Sequence, residues 1–308
     1  MRAGAAPFLT AVLVLAAAPA SRVASAPAAP LVLPLQPPSP PGSLRDAWDA
    51  TLQGALEARV RGDRGWRRLI ERAHMSVGLV DLRDPGAPRY AALNGDTMMY
   101  AASLPKIAIL LTAFQGFENH TLRSSPDVYQ DLAVMIRRSD NGAATRMVDR
   151  LGLETIARTL TAPAVRLYDA ATGGGLWVGR AYAQDHPSIG DPLKGLLHAA
   201  TAYQVCRFYY LLANGQLVSP ERSGEMLGLL ANTAMGHKFA YHLKDTTPLD
   251  HVFRKSGTWK DWHADSVLVW RDDGRRYILA ALVEDPGGEQ ILRDLVPAAE
   301  EVLGRAAR

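Results

Sequence analysis

The chain has 308 residues, of which 48% are hydrophobic and 21% are charged, so it is large enough to bury a sizeable core. Its formal net charge of +3 comes from scattered basic residues, which excludes a basic stripe for nucleic acid. Cys206 is the only cysteine, so no disulfide can form within the chain. Its apolar helical surroundings predict a packed core thiol.

Residues 1–26 have the pattern of a secretory signal peptide, with Arg2 before an apolar stretch and small residues that favour cleavage after Ala20. The apolar stretch is short for a membrane-spanning helix, and an uncleaved N-terminal anchor is the alternative. Residues 27–43 are rich in Pro, Ala and Ser and predict an extended linker, which leaves 44–308 as the folded domain. We therefore expect a periplasmic or secreted protein that does not contact a membrane once the signal is removed.

The first part of the domain combines helix and strand. Apolar spacing predicts helical structure over 44–74 with a break between Gly62 and Gly65, and then strands over 76–82 and 89–93. The middle is mostly helical, with helices predicted over 103–117, 126–138, 142–151, 153–160, 199–214 and 220–231. The Gly- and Pro-containing segment 163–198 predicts a long irregular loop, and such loops are often functional.

The last part returns to strands. Strands are predicted over 255–259, 266–271 and 277–284, with a tight turn at Asp272–Gly274 and a final amphipathic helix over 290–305. Strands thus stand at both ends of the domain with helices between them. We expect an α/β fold of the α+β type, in which a mostly antiparallel sheet is built from both chain ends and a helical lobe lies between them.

Ser103 and Lys106 stand at the start of an apolar helical run, where they would lie about one turn apart on the same face. Pro105 is tolerated in a first helical turn. A serine hydroxyl becomes a nucleophile when a base takes its proton, and a buried lysine can do so if it is neutral part of the time. The ordinary interpretation of Ser-x-x-Lys is a capping serine with a solvated lysine, so this pair needs support from the rest of the chain.

Two further short motifs follow along the chain: Ser139-Asp140-Asn141 and Lys255-Ser256-Gly257-Thr258. Alone, the first is by default a helix cap or turn, and the second a strand entry with a turn glycine. Three motifs in this order, each at a predicted helix end, loop or strand start, favour a catalytic interpretation. Acyl transfer requires an activated nucleophile, a proton path to the leaving group and donors for the oxyanion. The two lysines also favour a substrate that carries a carboxylate.

The set S-x-x-K, S-D-N and K-[ST]-G resembles that of serine β-lactamases and penicillin-binding D-alanyl-D-alanine peptidases. The layout over about residues 45–305 is most similar to class A β-lactamases, which implies a β-lactamase/transpeptidase-like fold. On this resemblance Ser103 is the acylated nucleophile, Lys106 assists its deprotonation, and Ser139 relays a proton to the leaving nitrogen.

The same resemblance implies five substrate-binding residues: Asn141, Lys255, Ser256, Gly257 and Thr258. The N–H groups of Ser103 and Thr258 would form the oxyanion hole, and Thr258 would contact the substrate carboxylate. Because Gly257 has no side chain, we expect that a substrate can lie against the strand there.

The chain departs from class A enzymes in the loop that carries their deacylating glutamate. Their motif E-x-x-L-N is missing, and no glutamate occurs from 155 to 220. Asp169 and Asp185 are the candidates for a substitute base, although each is more often a loop cap or a surface aspartate. The interval from the nucleophile to Ser139 is also short for the family, so we expect a trimmed helical lobe and an open cleft.

These features predict a serine hydrolase that forms an acyl-enzyme on a β-lactam or a related amide or ester, most similar to a β-lactamase and hence to antibiotic-resistance enzymes. The alternative enzyme is a D-alanyl-D-alanine carboxypeptidase or esterase of the same fold. A non-hydrolytic penicillin-binding sensor is the alternative from another class. We expect a monomer that takes a small β-lactam or peptidoglycan-like substrate without a cofactor, and the histidines show no metal-ligand spacing.

Overall fold

The computed structural model describes Met1 and residues 43–183, 187–271 and 273–306. The predicted signal peptide and linker lie almost entirely outside the described residues, as does Asp185. No helix in the described ranges is long and apolar enough to cross a membrane.

The described ranges contain ten α-helices: α1 (Ala50–Gly62), α2 (Arg64–Glu71), α3 (Lys106–Glu118), α4 (Pro126–Arg137), α5 (Asn141–Leu151), α6 (Leu153–Thr161), α7 (Ala202–Ala213), α8 (Pro220–Leu230), α9 (Phe239–Thr246) and α10 (Gly288–Arg305). They also contain ten strands: β1 (Met75–Asp81), β2 (Arg89–Leu93), β3 (Met99–Tyr100), β4 (Tyr168–Asp169), β5 (Gly174–Gly175), β6 (Trp177–Val178), β7 (His198–Ala200), β8 (Val252–Trp259), β9 (Trp262–Trp270) and β10 (Arg276–Glu284).

The main sheet has five antiparallel strands in the order β2-β1-β10-β9-β8. The two ends of the chain join where β1 pairs with β10, with Leu79 opposite Leu279. The prediction of one antiparallel sheet built from both chain ends is therefore confirmed. β8 is the edge strand of this sheet, so its outer side is available to other parts of the molecule.

Helices cover both faces of the sheet. Side chains of β10 alternate between the faces, as the pleat of a strand requires. Ile278, Ala280 and Leu282 pack with the helical lobe around α3, whereas Leu279 and Ala281 pack with α1, α2 and α10. The two hydrophobic clusters hold the edge strand and the helical lobe in fixed positions, and the site lies where these meet.

Helix α3 begins at Lys106, about one turn later than the sequence predicts. Ser103 instead lies in the preceding turn, where Lys106 N donates to Ser103 O at 3.3 Å and Ala108 N to Pro105 O at 2.8 Å. Pro105 stands at the cap position of α3, where its side chain cannot accept a hydrogen bond from the first N–H groups of the helix. The short-range backbone bonds pair some of these N–H groups instead, which makes the turn tight. Ala102, just before the serine, has a φ of 48°, a conformation that non-glycine residues rarely adopt.

The segment 163–198 is more ordered than predicted. It holds β4, β5 and β6 and the first residue of β7, and β7 pairs with both β3 and β6. Helix α7 consequently starts at Ala202 rather than 199, with Thr201 as its cap. Helix α9 was not predicted, because its eight residues carry few apolar side chains in a helical period.

Candidate active site

The edge strand β8 lies directly against the turn that carries Ser103. A Cβ atom at Gly257 would lie 2.3 Å from Ala101 O and 2.7 Å from Ser103 N, closer than any side chain can approach. The glycine is therefore required because the strand packs on the backbone of the nucleophile turn. This differs from the sequence-based reason, which left the space for substrate. The contact brings the strand to the N–H group of Ser103, which is one of the predicted oxyanion donors.

Lys106 is fully buried at the start of α3. Its Nζ donates to Ser139 O at 2.7 Å and to Asn141 Oδ1 at 2.8 Å. Burial lowers the pKa of Lys106 to about 7, although the carboxylate of Asp140 acts in the opposite direction. A neutral amine has two N–H groups and one lone pair, so these two bonds leave the lone pair free to accept a proton.

Ser139 lies between α4 and α5, where Asp140 caps α5 by accepting a hydrogen bond from Ala143 N at 2.6 Å. Ser139 has a φ of 57°, so it is held in the left-handed region by its surroundings. Lys255 Nζ donates to Ser139 Oγ at 2.8 Å and to Ser256 O at 2.6 Å. The structure thus places Ser139, Lys106 and Lys255 in one continuous hydrogen-bonded cluster, as the motif interpretation requires.

Lys255 is 2% exposed, and its pKa lies well below the usual value because of burial and the nearby charge of Lys106. Its neighbour Ser256 is also buried, whereas Thr258 is exposed at the end of the strand. The strand therefore combines the buried amine of Lys255 with the accessible side chain of Thr258. This combination suits binding of the polar part of a substrate.

Lys238 also lies at the site, although none of the three sequence motifs includes it. Its fully buried ammonium donates to Gly257 O at 2.5 Å, to Thr258 Oγ1 at 2.7 Å and to Ala264 O at 3.2 Å. Burial lowers the pKa of Lys238 to about 8. This lysine fixes the end of β8, the strand predicted to bind substrate, through these hydrogen bonds.

A buried ion pair holds Lys238 in place. Arg254 Nη2 lies 2.7 Å from Asp265 Oδ2, and both residues are at most 2% exposed. Arg254 also donates to Met235 O at 2.8 Å and to His237 O at 3.0 Å, while Asp265 accepts from Phe239 N at 3.0 Å.

These bonds bracket Lys238, whose backbone has a φ of 54° and a ψ of −125°. A non-glycine residue adopts this conformation only when its neighbours are firmly held. The sequence did carry a signal for the Arg254–Asp265 ion pair, because both residues are charged and lie within strands that are mostly buried. No comparable signal marked Lys238, since only the fold brings it to the strand.

The loop 163–198 reaches the site at Tyr182 and Ala183. Thr145 Oγ1 on α5 accepts a hydrogen bond from Ala183 N at 2.8 Å, which ties the loop to the helix that begins at Asn141. The Tyr182 ring lies over Lys106, with its centroid 4.6 Å from Nζ.

Asp169 lies at the start of a short 3-10 turn, where its carboxylate accepts a hydrogen bond from Ala171 N at 3.0 Å. None of its hydrogen bonds within the described ranges involves Ser103, Lys106 or Ser139. The carboxylate thus has the capping role that was its alternative interpretation, and its service as a base stays a prediction. In the described ranges, no cluster of three or more His, Cys, Asp or Glu side chains could hold a metal ion.

The described residues adopt a β-lactamase/transpeptidase-like fold. Residues 124–308 match the model of the beta-lactamase enzyme family. The match spans more than half of the chain, so the protein belongs to the beta-lactamase enzyme family. Ser103 and Lys106 precede the matched residues, and their place in the site rests on the geometry above.

Solved structures show the same fold. A beta-lactamase from Sphaerobacter thermophilus DSM 20745 is 16% identical with a TM-score of 0.61, over 80% of this chain and 95% of that one. PBP-A is 18% identical with a TM-score of 0.60, over 84% and 97% of the two chains. A point mutant of the class A beta-lactamase of the last common ancestor of Gram-negative bacteria is 17% identical with a TM-score of 0.61, over 78% and 98%. No curated protein sequence matches the chain.

Proposed function

We propose that this protein is a serine hydrolase of the β-lactamase type that forms a covalent acyl-enzyme through Ser103. The main observation behind this proposal is the hydrogen-bonded cluster beside the Ser103 turn. In this cluster Lys106 Nζ donates to Ser139 O at 2.7 Å and Lys255 Nζ donates to Ser139 Oγ at 2.8 Å. Its substrate is a β-lactam or a related amide or ester that carries a carboxylate. The buried amines of Lys238 and Lys255 support an anionic substrate, because opposite charge nearby favours their protonated forms and offsets their desolvation.

The proposed acylation uses these side chains in turn. The lone pair of neutral Lys106 takes the proton of Ser103 as its oxygen bonds to the carbonyl carbon, and N–H donors at Ser103 and Thr258 stabilise the oxyanion. The carbon–nitrogen bond then breaks, and Ser139 gives its hydroxyl proton to the leaving nitrogen while Lys255 supplies a proton to Ser139 Oγ. Water later adds to the acyl carbon and gives one proton to the neutral amine of Lys255. The bond between the acyl carbon and Ser103 Oγ then breaks, and Lys106 returns to Ser103 the proton that it took, so both lysines regain their starting states as the acid product leaves.

A second candidate function is a penicillin-binding carboxypeptidase, esterase or sensor whose acyl-enzyme persists. The observation in its favour is that the ring of Tyr182, which is not a base, lies over Lys106 where the described part of the loop reaches the site. A penicillin G acyl-enzyme complex has been solved for a point mutant of PBP-A, which is 20% identical to this chain. That similarity supports the idea that penicillins react with this fold.

The N-terminal signal pattern supports a periplasmic or secreted location, in which the domain acts as a monomer on β-lactams or peptidoglycan-like fragments. A cleaved, soluble mature form that starts after Ala20 is the expected product. Its mass, measured after expression with the full leader, tests this part of the proposal.

The catalytic proposal is tested by intact mass spectrometry of the mature protein mixed with a penicillin, followed in time beside Ser103→Ala. The expected result is an adduct of one penicillin on the wild-type protein and none on the variant. A transient adduct with many turnovers indicates a β-lactamase, and a persistent one indicates the second candidate. Equal labelling of the Ser103→Ala protein would refute the assignment of Ser103, and no adduct together with no consumption of the drug would refute β-lactam substrates.

A further inference from the structure

The Tyr182 side chain covers the face of Lys106 that points toward the loop 163–198. Its ring centroid lies 4.6 Å from Lys106 Nζ, a cation–π distance that leaves no room for a water molecule between them. Its hydroxyl lies 3.4 Å from Ala102 O, on the residue that precedes the nucleophile. One side chain therefore contacts Lys106 and the residue just before Ser103.

The ring of Tyr182 also packs against His198. The imidazole of His198 stacks on it with centroids 4.2 Å apart and planes 17° apart, and His198 Nε2 lies 2.9 Å from Arg180 O. The next residue, Ala183, donates a backbone hydrogen bond to Thr145 Oγ1 on α5. Because both sides of the ring and the backbone beside it are in contact, Tyr182 cannot turn away without displacing β7 or α5.

This position matters for the second half of the reaction. Hydrolysis of an acyl-enzyme requires a water molecule near the acyl carbon and an acceptor for the proton that this water loses. The aromatic face offers neither a strong acceptor nor space, and the phenol oxygen is directed at Ala102 O. Burial also raises the pKa of Tyr182 well above its usual value, so the hydroxyl keeps its proton and does not act as a base.

We propose that Tyr182 is a positioning residue that closes the loop side of Lys106 to water and thereby prolongs the life of the Ser103 acyl-enzyme. This inference rests on the proposed function, because it concerns the fate of the adduct on Ser103. It assigns the balance between hydrolase and penicillin-binding behaviour to one aromatic side chain that touches both Lys106 and the nucleophile turn.

The test measures acylation and deacylation separately, by intact mass spectrometry of the penicillin adduct before and after free drug is removed. Tyr182→Ala opens the space beside Lys106, and Tyr182→Glu places a carboxylate at about the reach of the ring. Both variants should shorten the life of the adduct by about tenfold or more, because water gains access and, in the second, a base. Tyr182→Phe keeps the ring and should change the lifetime by less than about twofold.

Tyr168→Ala is the matched control, since it removes an aromatic ring from the same loop, where Tyr168 OH donates to Asp191 Oδ1 at 3.0 Å. An equal shortening in this control would attribute the effect to general loosening of the loop and overturn the inference. Unchanged lifetimes in folded Tyr182→Ala and Tyr182→Glu would overturn it as well. Failure of the wild-type protein to form any adduct would instead refute the proposed function, so the two failures are distinct.

Discussion

Two walls enclose the candidate site, and they differ in chemistry. The strand wall consists of residues 254–258 of β8 with Lys238, and its polar atoms are joined by short hydrogen bonds such as Lys238 Nζ to Thr258 Oγ1 at 2.7 Å. The loop wall consists of Tyr182, Ala183 and His198, and it meets Lys106 with an aromatic ring. In the proposed function, the strand wall binds an anion and stabilises an oxyanion, whereas the loop wall excludes water.

From this difference we infer that separate parts of the molecule control the two halves of the proposed acyl-transfer reaction. Formation of the acyl-enzyme depends on the lysines and on the strand wall, which is clamped by Arg254 and Asp265. Breakdown of the acyl-enzyme depends on whether the loop wall lets a water molecule reach the acyl carbon. Mutations in the two walls should therefore change different rate constants.

The largest effect is expected for Lys106→Ala, which removes the base together with its hydrogen bonds to Ser139 O and Asn141 Oδ1. Acylation of Ser103 by penicillin should fall by roughly 10²–10⁴-fold, the usual contribution of a general base. Stopped-flow or mass-spectrometric acylation rates check this, with circular dichroism to show that the fold is kept. Normal labelling of the folded variant would refute Lys106 as the base.

Gly257→Ala tests how the strand wall meets the nucleophile turn. The added methyl group would overlap Ala101 O, at 2.3 Å, so the strand and the turn must separate. We expect a stability loss of about 1–3 kcal/mol and an acylation rate reduced by about tenfold or more. Chemical denaturation and acylation kinetics measure the two effects. Gly228→Ala, on α8 with no atom near the added carbon, is the matched control and should retain acylation.

Lys238→Met should weaken the strand wall while leaving the loop wall intact. Three oxygens lose their shared donor, which costs about 1–3 kcal/mol when such groups stay buried. We expect the second-order acylation constant to fall by about tenfold and the adduct lifetime to stay the same. A changed lifetime with normal acylation would contradict the separation of the two walls. Arg254→Lys, which keeps the charge but cannot hold both carbonyls, should have a smaller effect in the same direction.

The pH dependence of acylation should report Lys106. Burial lowers its pKa to about 7, and only the neutral amine accepts the proton of Ser103. The acylation rate should therefore rise with pH through about 7 and fall as the amine becomes protonated below it. A rate that is flat between pH 6 and pH 8, roughly one unit either side of that value, would argue against a lysine base.

Asp169→Asn should give the smallest effect. Asparagine can accept the hydrogen bond of Ala171 N as the aspartate does, so the 3-10 turn should remain intact. The geometry favours unchanged acylation and deacylation rates, measured with the same penicillin adduct. Slower deacylation alone would establish the predicted role of Asp169 as a base.

The fold and the motif cluster were predictable because their signals are local. Ser139 and Asn141 belong to one short turn, and Lys255 and Gly257 to one strand, so neighbours in sequence stay neighbours in space. Each strand also had a local signal, and the pairing of the two chain ends, as at Leu79 and Leu279, was predicted from strands that stand at both ends with helices between them. The start of α3 was predicted too early, because Pro105 allows a tight turn before the helix as well as a first helical turn.

The remaining parts of the site depend on long-range contacts that no sequence period encodes. Lys238 reaches the strand wall only because Arg254 and Asp265 hold the turn around it in an unusual backbone conformation. Tyr182 lies in an irregular loop, and its contact with Lys106 arises from the pairing of β6 with β7 and the bond of Ala183 to Thr145. Aromatic residues in such loops carry no periodic signal for their partners.

The most direct test of this account is a stopped-flow record of the wild-type protein with a chromogenic cephalosporin in excess. Fast acylation and slow deacylation predict a burst of product close to one equivalent of enzyme, followed by a slow steady phase whose rate equals the decay of the isolated adduct. A rapid linear reaction without a burst would show that the acyl-enzyme does not accumulate. That result would contradict the claim that the strand wall completes acylation while the loop wall restrains hydrolysis.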